Sequence, residues 1–149
     1  MSDDQYDELM NRRRWTRAEQ ENEEQRQRAA QQRIEQVFFY RRNALYTAVA
    51  KRAEELEKRY PDLGQLFVRP FGDRLDLIKS KHPSGSFTMN FDPFQRTVSG
   101  SFRNSGESFE YEMQPVVDQD TIELWSGGRP RSDEEIVRQI FDQFMEEIS

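Results

Sequence analysis

The chain contains no cysteine. Disulfides, thiolate nucleophiles and cysteine-ligated metal centres are therefore excluded. It contains a single histidine, His82, followed directly by Pro83 in a turn-like context. A histidine base needs an oriented nucleophile and a third group, and the sequence specifies neither. No apolar run approaches the roughly 20 residues that cross a bilayer. The opening MSDDQYDELMNRRR is acidic and has no apolar segment, so no secretory signal is expected and a cytoplasmic location is. Lysine is scarce beside arginine, 4 against 18, a ratio read first as coding bias and second as a use of arginine's planar fork.

Glycine and proline are missing where their absence says most. All 13 fall between Pro61 and Pro130, and none occurs in the first 60 or the last 19 residues. Because these residues break helices and make turns, the chain divides into a helical front, a strand-and-turn middle and a helical end. Apolar residues are also short, at 34%, and the deficit is concentrated in residues 1–33. The expected organisation is a charged arm over 1–33, either a frayed helix or disordered, and a single domain over 34–149.

What is present in the arm is alternating charge. Asp3, Asp4, Asp7 and Glu8 precede Arg12, Arg13, Arg14 and Arg17; a second acidic block and a second basic block follow. No apolar seam repeats at heptad spacing, so a sustained coiled coil is not expected. From Ile34 the pattern changes. Ile34, Phe38, Leu45, Val49, Ala53, Leu56 and Tyr60 share one helical face, interrupted by Arg41 and Arg42. Tyr60-Pro61 ends that helix.

Between Leu66 and Trp125 the period becomes two. Leu75 and Leu77, then Phe87, Met89 and Phe91, then Phe94, Arg96, Val98 and Phe102 alternate with their neighbours. Phe109, Tyr111 and Met113, and finally Ile122 and Leu124, do the same. Turn residues separate the runs and no helix intervenes, which predicts an antiparallel meander of five strands, or six if Leu66–Arg69 pairs. Ser132 and Glu135 form a capping box ahead of a stripe of Val137, Ile140, Phe141, Phe144 and Ile148. The fold expected is α+β in two layers, with a long N-terminal helix and a C-terminal helix on one face of the sheet.

Catalytic signatures are lacking. Gly106-Glu107-Ser108-Phe109-Glu110 is not a nucleophile elbow, and Glu110 and Glu112 alternate toward solvent. Asp118 and Asp120 lack the rest of a calcium loop. No catalytic residue, metal or cofactor is assigned, and an enzyme is not expected. Two segments remain as candidate sites. Gly127, Gly128, Arg129 and Arg131 precede a helix N-terminus, where an anion is favoured, although a plain strand-to-helix connection explains them better. In the arm, Tyr6, Leu9, Met10 and Trp15 are potential anchors for a partner's groove, with Arg12, Arg13, Arg14 and Arg17 beside them. The leading expectation is a non-enzymatic interaction or adaptor module that uses this arm on a protein partner or a second copy. The alternatives are nucleic-acid binding through Arg12–Arg17 and small-anion binding at Gly127–Arg131.

Overall fold

A stretch of 60 residues without glycine or proline lets backbone hydrogen bonding propagate unbroken, and the result is a single long helix. The computed structural model describes residues 2–149; Met1, the first residue of the expected arm, lies outside them. Helix α1 runs Asp3–Arg59, 57 residues. Its start is capped reciprocally: Ser2 Oγ accepts from the Gln5 N–H and Gln5 Oε1 accepts from the Ser2 N–H, each at 3.4 Å. Two compact units divide the chain, Met1–Gln36 and Val37–Ser149. The first, as far as it is described, is helical from Asp3 onward.

In the second unit the strands follow one another through short turns: β1 (Phe67–Phe71), β2 (Arg74–Lys79), β3 (Gly85–Asp92), β4 (Thr97–Phe102), β5 (Ser108–Val116), β6 (Thr121–Ser126) and β7 (Arg129–Arg131). They pair antiparallel in sequence order as one seven-stranded sheet. Helix α2 (Asp133–Glu147) completes the unit. The sheet thus has seven strands where five or six were expected. The added strand, β7, has no apolar alternation to betray it. It exists because Gly127 and Gly128, at φ 63° and 78°, supply the two left-handed residues of a tight hairpin.

Register explains which face is buried. Leu75 and Leu77 oppose Met89 and Phe87; Phe87, Met89 and Phe91 oppose Phe102, Gly100 and Val98. Val98 opposes Tyr111, and Met113 opposes Leu124. Both helices cover that face: Leu45, Val49, Ala53 and Leu56 of α1, and Ile136, Ile140, Phe141 and Phe144 of α2, join the sheet residues in one core. Pro70 and Pro130 sit on the two edge strands, where a missing N–H breaks no ladder. Pro115 lies in β5 beyond the last residue paired to β4, Glu112, so it too leaves no bond unmade on that side.

Three residues assigned to apolar stripes prove exposed. Phe94 is 97% exposed, because Asp92 Oδ1 accepts from the N–H groups of Phe94 and Gln95 and turns the chain before β4 begins. Ile34 and Tyr60 are exposed at either end of the α1 stripe, whose buried part runs only from Leu45 to Leu56. Arg41 and Arg42 do more than interrupt it. Arg41 Nε donates to Ile122 O at 2.9 Å, and its guanidinium lies 2.6 Å from Asp133 of α2. Arg42 pairs with Asp73 at 2.6 Å. Tyr46, one turn on, donates to Gly72 O at 3.1 Å, and burial pushes its phenol up to about 12.

Candidate functional site

The arm offers surface and little else. Every residue from 2 to 36 is exposed, including Tyr6, Leu9, Met10 and Trp15. Helical geometry sorts these residues in a way their spacing alone conceals. At about 100° per residue, Leu9 and Met10 fall within some 60° of Tyr6, while Trp15 points about 180° away from it. Arg13 and Arg17 return to the Tyr6–Met10 face, so that face carries three apolar side chains followed by two cations. Arg12 pairs with Glu8 one turn earlier at 3.1 Å and lies between Leu9 and Trp15. Among the described residues, Arg13, Arg14 and Arg17 have no hydrogen-bonding or ionic side-chain partner.

The Gly127–Arg131 segment is organised from within. Gly127 and Gly128 form the β6–β7 turn, and both arginines that flank Pro130 reach back to α2. Arg129 meets Glu135 through both nitrogens of its fork, at 2.9 and 3.4 Å. Arg131 adds a contact to the same carboxylate at 3.5 Å and donates from Nε to Ser126 O at 3.0 Å. The Arg129 guanidinium, with help from the Ser132 cap and Arg131, holds the Glu135 carboxyl below the usual carboxylate range. An anion entering here competes with Glu135, which already occupies the position at the helix start that suits negative charge.

The turn end of the sheet holds a network that sequence spacing does not announce. Glu147, at the C-terminus of α2, is only 8% exposed. Its carboxylate accepts from the N–H groups of Asn104 and Ser105 at 2.8 and 2.7 Å. Burial raises the pKa of this carboxyl, and the hydrogen bonds from Ser105 and Asn104 more than offset the rise, leaving it below its ordinary value. Asn104 Nδ2 bridges Ser84 O and Glu147 O. These partners lie 20 to 43 residues apart in the chain, and only the local polar character of Asn104-Ser105-Gly106 marked a turn in advance.

Glu110 and Glu112 lie exposed on the outer face of β5, and His82 is exposed in the β2–β3 turn. Among the described residues no group of three or more histidine or carboxylate side chains is placed to hold a metal ion, and no helix is long and apolar enough to cross a membrane. No protein-family model matches this chain, and neither does any curated protein or solved structure.

Proposed function

We propose that this protein is a non-enzymatic interaction module whose helical arm recruits a protein partner. The observation that supports this reading is the exposure of Tyr6, Leu9, Met10 and Trp15, at 58%, 39%, 39% and 72%, in an arm that buries none of its described residues. Large apolar side chains left in water at consecutive turns favour burial against something else. The Tyr6–Leu9–Met10 face is the contact, and Arg13 and Arg17 extend it toward an acidic rim on the partner. A second copy of the chain is the first partner to test.

The experiment is to replace Leu9 and Met10 by serine in the full chain. Solution mass is then followed by sedimentation over a range of concentrations, alongside affinity capture. The intact chain is expected to self-associate or retain a partner, and the variant to lose it with an unchanged melting temperature. Identical behaviour of the two proteins in both measurements sinks the proposal.

The three unpartnered arginines favour nucleic acid as a second reading. Phosphate contacts weaken steeply with salt, whereas a groove contact does not. Absence of binding to random RNA and DNA at low salt removes it.

A further inference from the structure

Both helices pack on one face of the sheet, and on the other face the strand side chains are exposed or half-buried. Register fixes which residues occupy that outer face, because directly opposite residues share a side. Arg69, Asp76, Thr88 and Ser101 stand in one row across β1 to β4. Arg74, Asn90, Ser99 and Glu110 form the next row, which begins on a cation in β2 and ends on an anion in β5.

Charge on this face is sorted by strand. β1 and β2 bring Arg69 and Arg74 against one carboxylate, Asp76, which Arg74 meets at 3.0 Å. β5 and β6 bring Glu110, Glu112 and Glu123 and no cation. Between them the outward residues of β3 and β4 are Ser86, Thr88, Asn90, Thr97, Ser99 and Ser101, all uncharged in a chain that is 34% charged. Asp92, at the end of β3, is spent on the N–H groups of Phe94 and Gln95. Arg69, Glu110 and Glu112 are exposed and have no ionic partner among the described residues; the Arg69 guanidinium lies 5.5 Å from the Phe67 ring.

We propose that this outer face binds the same face of a second copy about a two-fold axis, the β1–β2 half of each lying against the β5–β6 half of the other. A two-fold contact uses one patch twice, so a face with opposite charge on its two halves matches itself once the halves are exchanged. A partner of a single charge sign meets repulsion on one half. The short side chains of β3 and β4 let the two sheets approach, and Phe67, Phe71 and Trp125 add aromatic area at the flanks. Six strands about 4.8 Å apart and five residues long at about 3.3 Å each measure about 29 by 17 Å. That is on the order of 500 Å² per copy before side-chain relief is added, against roughly 600 Å² per partner at the low end of specific interfaces. The surface lies wholly within Val37–Ser149 and is independent of the role given to the arm.

The test is sedimentation of the full chain over a range of concentrations, at low and at moderate salt, with two charge-reversed variants. The parent is expected to dimerise, and more weakly as salt rises. Arg69→Glu with Arg74→Glu turns the basic half acidic, and Glu110→Arg with Glu112→Arg turns the acidic half basic. Each variant alone is expected to dimerise about tenfold or more weakly than the parent, and an equimolar mixture of the two to regain a dimer. All four positions are exposed, and rescue on mixing requires both variants to be folded. A monomeric parent, variants that associate as the parent does, or a mixture that stays monomeric overturns the proposal. Loss of the dimer on replacing Leu9 and Met10 by serine, with the sheet variants unaffected, assigns the contact to the arm and overturns this face alone.

Discussion

A methyl group at Gly100 has nowhere to go, since an ideal Cβ there runs into Phe109 Cζ and lies 2.6 Å from Phe87 Cε2. The two rings stack across the glycine with centroids 5.7 Å apart, and Phe102 closes on Phe87 at 4.6 Å. Gly100→Ala is therefore expected to cost about 1–3 kcal/mol, the usual penalty of overpacking a core. Chemical denaturation with an unchanged m value checks it; a loss below about 0.5 kcal/mol would show that the rings yield freely. The alternation of Val98 and Phe102 was legible in the sequence, but the reason for glycine between them was not. That reason is two rings on neighbouring strands, at positions that only the register brings together.

At the scale of an element, the two ends of α2 were not equally legible. The start could be anticipated, because a cap joins residues three apart: Ser132 Oγ accepts from the Glu135 N–H at 3.1 Å. The other half of the box departs from expectation, since the Glu135 carboxylate turns outward to Arg129 and Arg131. The far end, held by Glu147, depends on a turn 42 and 43 residues away in the chain. Glu147→Gln leaves one acceptor and points an amide nitrogen at a backbone N–H. It is expected to destabilise the protein by about 1.5–3 kcal/mol at neutral pH. The sign with pH follows from the lowered folded-state pKa. The carboxylate's contribution is complete above the unfolded-state pKa and disappears as pH falls through the folded value. Stability of the parent and the variant, followed by urea melts from neutral to acidic pH, is expected to converge at the acidic end. A constant gap between them at all pH values would assign Glu147 a packing role only.

For the molecule as a whole, the buried hydrophobic residues among those described begin at Leu45. A chain that starts at Val37 is expected to fold and to melt within about 2 °C of the full chain, since surface changes away from the core stay within about 0.5 kcal/mol. A large drop would show that helix α1 needs residues 2–36 to form at all. The same comparison keeps any loss of association in the shorter chain from being mistaken for unfolding.

The amino-acid sequence by itself determined the order of elements, the antiparallel meander and the placement of apolar faces. Each of these follows from local periodicity and from where glycine and proline interrupt it. It also marked Tyr6 to Arg17 as unusual, though not that Trp15 and Tyr6 lie on opposite sides of a helix. Tertiary structure alone decided the clamps that Arg41 and Arg42 make on Ile122, Asp133 and Asp73, and the hold of Glu147 on Asn104 and Ser105. Those outcomes depend on partners far apart along the chain, and a one-dimensional pattern carries no record of which distant residues will be brought within 3 Å of each other.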